Sequence, residues 1–283
     1  TGLYDLELNN VKQLHVSTPY GEPSDAITIG NLDGIQVAFL PRHGRHHQLS
    51  PTEIPARANI HALKQLGAQR IISVSAVGSL KLEIKPMDLV IPDQLIDRTR
   101  LRENTFFTGG LVAHIPFADP FCPDLNEMLA TSADESLSTS ADESLSTAHR
   151  GGSLLVIEGP TFSTRAESLM YRAWGASIIG MTALPEAKLA REAEMCYSIL
   201  ACVTDYDVWN TEQADVTVEV IVDNLRKNVA TSRDALRRVI PLSVGPRNCG
   251  CGFALKSALV TNLGQVPQET LNTLGPIVSN YVP

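Results

Sequence analysis

The chain has 283 residues, 43% of them apolar and 19% charged, which excludes disorder as its main state and supplies enough apolar surface for a sizeable core. Twenty-three basic side chains against 31 acidic ones leave a net charge of −8 with no long basic block, so neither nucleic acid nor an anionic membrane is an expected partner. No apolar run approaches the roughly 18 residues that cross a bilayer, and Thr1-Gly2-Leu3 lacks a signal-peptide pattern, so the chain reads as soluble.

Short apolar runs alternate with helical patterns, the signature of an α/β fold with parallel strands and covering helices. Val37-Ala-Phe-Leu40 runs into a basic loop. Pro55 opens a predicted helix carrying Ile60, Leu63 and Leu66, and Gly67 closes it. Arg70 to Val77 reads as a buried strand that empties into Gly78-Ser79. A second unit starts with the strand Ser153 to Ile157, passes through Glu158-Gly-Pro160 and enters a helix around Arg165 to Trp174. A strand at 177–181, a helix from Leu184 to about Glu194, a strand from Tyr197 to Thr204 and a long helix from Asp215 to about Val239 follow. The Pro/Gly/Cys stretch after it reads as loop, and the whole of 1–283 reads as one α/β domain.

Within 132–147 the octamer Ser-Ala-Asp-Glu-Ser-Leu-Ser-Thr occurs twice in tandem. It is too short for a solenoid unit and polar enough to be a solvated helix end or a surface insertion. The five cysteines, Cys122, Cys196, Cys202, Cys249 and Cys251, are odd in number and scattered, the usage of a reducing cytoplasm rather than a disulfide framework. Cys249-Gly-Cys251 has the spacing of a redox pair or of two soft metal ligands. With no second cysteine pair along the chain to complete a zinc site, it reads as two loop thiols and no metal is expected.

In open α/β sheets ligands gather beyond the carboxyl ends of strands, so five clusters in such places are candidates. Arg42-His43-Gly-Arg45-His46-His47 offers guanidinium and imidazole donors for an anion, with a metal as the lesser rival. Ser75-Ala76-Val-Gly78-Ser79 brings a hydroxyl and backbone N–H groups to a strand end. Met181-Thr182 does the same, although on its own Thr182 reads as a helix N-cap. Asp205-Tyr-Asp207 places two carboxylates on one side of extended backbone, where repulsion raises one proton affinity; Mg²⁺ ligation and an exposed turn are the alternatives. Phe162-Ser163, flanked by Gly, Pro and Thr, reads as a pocket wall.

Taken together with His114-Ile-Pro116 and Pro120-Phe-Cys-Pro123, these clusters resemble in order and spacing the methylthioadenosine phosphorylases of the trimeric purine nucleoside phosphorylase family, from Thr1 to about Ile240. The resemblance implies a single phosphorylase domain with a central mixed, mostly parallel twisted sheet flanked by helices. It implies phosphorolysis of 5′-methylthioadenosine, with inorganic phosphate as co-substrate, no cofactor and a homotrimeric assembly. It puts Thr1, Arg42, His43, Ser75, Ala76 and Thr182 on phosphate, the Met181 backbone on the ribose, and Phe162 and Ser163 at the base. It also makes Asp205 and Asp207 the catalytic pair, sets Val218 and Ile221 against the alkylthio group, and has His114 reach the 5′ side of a neighbouring subunit's site.

Two carboxylates suit a 6-aminopurine, because an ionised carboxylate opposes a 6-oxo group where an amide N–H would suit it. A 6-oxopurine or methylthioinosine phosphorylase is the nearest alternative. A nucleoside-binding protein without turnover and a metal module built on the histidines are the others. Three departures from the family pattern are expected to matter. The pattern has an apolar strand and a Gly-Gly pair ahead of Thr1-Gly2, the octamer lengthens the stretch between Pro123 and Glu158, and Ser75 stands where some members have Thr.

Overall fold

The computed structural model describes residues 8–139, 146–211 and 218–282. Three strands, β1 (Asn9–Leu14), β2 (Ile27–Leu32) and β3 (Ile35–Phe39), form a small antiparallel sheet. Asp33 and Gly34, both at positive φ, join β2 to β3 as a two-residue turn, and Asp-Gly is a favoured pair there because it tolerates the left-handed region.

The larger sheet contains β4 (Arg70–Ser79), β5 (Leu89–Ile91), β6 (Gln94–Arg98), β7 (Ala148–Arg150), β8 (Ser153–Ile157), β9 (Ile178–Gly180) and β10 (Cys196–Asp205). Their spatial order is β6-β8-β9-β4-β10-β5-β7. The β6–β8, β8–β9, β4–β10 and β5–β7 pairs are parallel, whereas β4–β9 and β5–β10 are antiparallel. This is the expected mixed, mostly parallel sheet. Helices α1 (Ala56–Gln65), α2 (Pro123–Ser138), α3 (Arg165–Ala173), α4 (Ala183–Glu192), α5 (Val218–Leu242) and α6 (Gln268–Leu274) complete the regular structure. The segment after α5, expected as loop, therefore carries one short helix as well as 3-10 turns.

Strand β10 is buried from Cys196 through Thr204, which explains why its sequence is a nearly continuous apolar run. It pairs with β4 from Cys196↔Arg70 to Val203↔Val77, and then the register shifts so that Asp205 lies opposite Gly78. Such an irregularity at a strand end re-aims a side chain, and here it re-aims a carboxylate. The core beneath includes Val77, Leu154, Val156, Ile178, Ile199, Ala201 and Val203 from the strands, packed with Leu184, Ala187 and Leu189 of α4. Among the described residues no helix is long and apolar enough to cross a membrane.

The first octamer copy lies in and just after α2, with Ser132, Ala133 and Ser136 buried and the Ser136 hydroxyl donating to the Thr231 carbonyl of α5 at 2.8 Å. That copy is the end of a helix with one face packed, while Asp134, Glu135, Ser138 and Thr139 are exposed. The second copy falls largely on 140–145, outside the described residues.

Candidate functional site

A cleft of about 1430 Å³ runs along β4 past the carboxyl ends of β9 and β10 and continues beside β3 and α5. Arg42, His43, Ser75, Ala76, Phe162, Ser163, Met181, Thr182, Asp205, Asp207 and Ile221 all line it. Thus eleven residues chosen from sequence share one cavity. Thr1 lies outside the described residues, as does the side chain of Val218. His114 is exposed and does not line the cleft; its backbone N–H donates to the Ala258 carbonyl at 2.8 Å.

At one end of the cleft the groups are donors. The Arg42 guanidinium donates to both Glu186 carboxylate oxygens at 3.1 Å, to Ser73 Oγ at 2.8 Å and to the Val74 carbonyl at 2.9 Å. Glu186 also accepts from Tyr197 Oη at 2.7 Å, so the arginine is anchored by a buried network rather than left to wave in solvent. His43 Nδ1 lies 2.8 Å from the Leu49 carbonyl, and its ring stacks on His47 at 4.2 Å. Burial, with Arg42 and His47 nearby, lowers the His43 pKa to about 4, so the imidazole is neutral at pH 7. Since Nδ1 must then donate to Leu49, Nε2 is left as an acceptor.

Of the remaining basic cluster, Arg45 turns away to Asp25, and among the described residues no three metal-capable side chains converge around the histidines. Ser75 Oγ and Thr182 Oγ1 are 3.0 Å apart, joining the middle of β4 to the chain just after β9. Thr182 does precede α4, yet its hydroxyl makes no capping bond. The side chain faces the cleft instead of serving the helix.

At the other end stand the two aspartates. Their convergence has a different cause from the expected strand alternation: Asp205 ends β10, the chain turns, and Asp207 begins a 3-10 turn with φ +50°. Asp205 Oδ1 accepts from the Asp207 amide at 2.8 Å, and Oδ2 accepts from Thr204 Oγ1 at 2.7 Å. Asp207 accepts from the Ser168 hydroxyl. Burial raises both pKa values; for Asp207 the Asp205 charge adds to it, as repulsion between carboxylates requires. The turn is fixed from outside by Asn224 donating to the Thr204 carbonyl at 2.7 Å and Trp209 Nε1 to the Ser79 carbonyl at 2.8 Å. Gly78 is required opposite, because a Cβ there would meet Asp205 Oδ1 at 2.9 Å.

The two ends are tied by one strand. Ser75 belongs to the donor end and Gly78 touches Asp205, three residues apart on β4, so they are separated by about 10 Å at roughly 3.3 Å per residue. Between them the wall is formed by Phe162, 40% exposed, and by Ser163, whose Oγ is buried with no hydrogen-bond partner among the described residues.

Sequence reasoning overlooked the residue that holds this floor together. Arg102, 3% exposed, donates to the carbonyls of Met181 and Leu184 at 2.5 Å, to that of Glu158 at 2.5 Å, and through Nε to the Glu158 carboxylate at 3.1 Å. Burial pushes the Glu158 pKa upward, but hydrogen bonds from Thr52, the Arg100 amide and Arg102 outweigh it and hold the carboxyl at about 2. No local motif marks Arg102. Its partners lie 55 to 82 residues away, so only the fold reveals it.

Comparison with known proteins gives a consistent result. Residues 2–241 match the family described as the phosphorylase superfamily. The S-methyl-5′-thioadenosine phosphorylase of Geobacter sulfurreducens is 51% identical over 284 residues, which cover 100% of this chain and 96% of that protein. Its namesake from Thermosynechococcus vestitus is 50% identical over 285 residues, covering 100% of this chain and 96% of the relative. Among solved structures, a methylthioadenosine phosphorylase from an antarctic soil metagenomic library superposes with a TM-score of 0.91 at 45% identity, covering 100% of this chain and 96% of the other. The Schistosoma mansoni methylthioadenosine phosphorylase in complex with adenine gives 0.79 at 36% identity, covering 86% and 89% of the two chains.

Proposed function

The chain belongs to the phosphorylase superfamily, and from that premise we propose that it cleaves 5′-methylthioadenosine with inorganic phosphate, giving adenine and 5-methylthioribose 1-phosphate. The reaction is a pentosyl transfer. A phosphate oxygen forms a bond to C1′ as the C1′–N9 bond breaks, and the electron pair released into the purine is neutralised by a proton at N7. The transition state is sugar cation flanked by two anions, so the protein must hold phosphate on one face and relieve the leaving base on the other.

The observation that carries this reading is the 10 Å strand segment with hydroxyl donors at Ser75 and a carboxylate beside Gly78, a span of the order that separates a phosphate from N7 across one ribose. Arg42, His43, Ser75, Ala76 and Thr182, with Thr1, bind phosphate. Neutral His43 offers its Nε2 to a phosphate O–H while Arg42 supplies the positive field. Phe162 stacks on the base and Ser163 satisfies its hydroxyl there. The Met181 backbone meets the ribose, while Val218 and Ile221 face the alkylthio group. Asp205 and Asp207 act as a dyad, one donating its proton to N7 and the other accepting from the 6-amino group. Burial raises the proton affinity of both carboxyls, the direction that a proton donor requires.

Residues 1–283 act as one domain, since the cleft draws on chain from Arg42 to Ile221 and beyond. The assembly is a homotrimer. Exposed His114 and the uncovered apolar side chains Leu169, Met170 and Trp174 of α3 and its end, next in sequence to Phe162, support a neighbouring subunit there. No cofactor takes part. Five free thiols agree with the cytoplasm. The test compares methylthioadenosine, adenosine and inosine with and without phosphate. Adenine release that depends on phosphate, with inosine inert, is expected; cleavage without phosphate, or preference for inosine, overturns the reading.

A further inference from the structure

Four of the five cysteines meet in a cluster, and none of the four lines the cleft. Cys122 precedes α2, Cys196 begins β10, and Cys249 and Cys251 flank Gly250 in the loop after α5. Their Sγ atoms all lie within 4.8 Å of one another, and Cys196 and Cys249 are 3.4 Å apart as free thiols. Three are buried and Cys249 half-buried, packed with Leu125 and Ile72.

This arrangement is specific to one geometry. Four sulfurs at 2.3 Å from a tetrahedral zinc ion are about 3.8 Å from each other, so the cluster needs only a slight contraction to become a closed tetrathiolate shell. A disulfide framework needs pairs instead, with sulfur atoms near 2.05 Å and no reason for all four to converge. The spacing Cys-x-Cys alone was too little to indicate a metal, because the other two ligands arrive from 53 and 127 residues away through the packing of α2 against β10.

We propose that Cys122, Cys196, Cys249 and Cys251 form a structural zinc site. Ligand type favours a soft-tolerant divalent ion over Mg²⁺ or Ca²⁺, and four protein ligands leave no open position for catalysis. Binding expels the thiol protons to solvent and leaves a site of net charge −2. The α2 N-terminus beside Cys122 and the Arg247 guanidinium, packed against Gly252, oppose that charge. The ion ties the C-terminal segment to the sheet at the same place where Glu194 accepts from the Leu255 amide at 3.0 Å and from Tyr281 Oη at 2.6 Å. This site stands independently of the phosphorolysis reading.

The full chain, produced with zinc and purified under reductant, is assayed for metal by mass spectrometry and then reloaded with Co²⁺. Zinc near one per chain is expected, with thiolate-to-cobalt charge-transfer and tetrahedral visible bands after exchange. Cys249→Ser and Cys251→Ser should each drop zinc to background, while Cys202→Ser, at a cysteine outside the cluster, should keep it. A zinc-free reduced protein, a cobalt spectrum without thiolate bands, or thiols consumed as disulfides in place of metal overturns the proposal. The cobalt spectrum is read on the unmutated chain, so poor folding of a variant does not decide the matter.

Discussion

The donor end and the acid end of the cleft are built on opposite principles. At the donor end, Arg42 is already paired with Glu186, and the hydroxyls of Ser75 and Thr182 hold each other, so every group is positioned before a ligand arrives. At the acid end, Asp205 and Asp207 receive, among the described residues, hydroxyl and backbone N–H donors, and burial leaves each with a heightened hold on its proton. One end gains from fixed charge and the other from withheld solvent. Preorganisation suits a ligand that keeps its charge, whereas a proton donor needs a site where giving up the proton is worthwhile only as the leaving group turns anionic.

The largest effect should come from removing the acid. Asp205→Asn is expected to slow adenine release by about 10²- to 10⁴-fold with little change in melting temperature, since Asn keeps an Oδ1 acceptor for the Asp207 amide while its Nδ2 donates to Thr204 Oγ1, whose hydroxyl still has the Val77 carbonyl to donate to. An unchanged rate would put the acid elsewhere. At the other end, Arg42→Ala should raise the phosphate requirement by roughly tenfold or more and lower stability by about 3 kcal/mol, because Glu186 is left 11% exposed without its cation. Adding Glu186→Gln should restore stability without restoring phosphate affinity; urea unfolding and steady-state kinetics separate the two.

Ser168→Ala tests the acid end more finely. The serine hydroxyl lowers the Asp207 pKa against burial, so its loss should shift the dyad's limb of the pH–rate profile upward and cost about 1 kcal/mol in transition-state binding. A profile that does not move removes Asp207 from the proton inventory. The smallest effect belongs to the floor. Because Glu158 is held at about 2 against an ordinary 4.5, its contribution is complete above pH 4.5 and is lost as pH falls toward 2. Glu158→Gln should therefore lower stability by about 1 kcal/mol at pH 7 and by almost nothing near pH 2, measured by denaturant unfolding across that range.

The same contrast explains what was legible. Arg42-His43 just after β3, Ser75-Ala76 in the second half of β4 and Asp205-Tyr-Asp207 at the end of β10 each adjoin an apolar run, which makes them readable locally, and the fold brings all three to one cleft. What local reading could not supply were the partners. Glu186 is 144 residues from Arg42, and Ser168 is 39 from Asp207; no periodicity announces either. The small sheet was missed for a different reason. Asn9-Asn-Val-Lys-Gln-Leu14 is polar and mostly exposed, so it lacks the apolar signature of a strand. Asp33-Gly34 was the available signal for its second turn.

One strand passing through both ends has a consequence of its own. Because Ser75 and Gly78 are separated by three peptide units of β4, the proposed roles of the two ends make the distance between nucleophile and leaving group one gauged by covalent bonds rather than by adjustable packing. Neighbouring helices can drift, and the walls can widen to admit a bulkier thioether, while that yardstick keeps its length. Tolerance should therefore lie at the 5′ substituent, and strictness at the glycosidic bond.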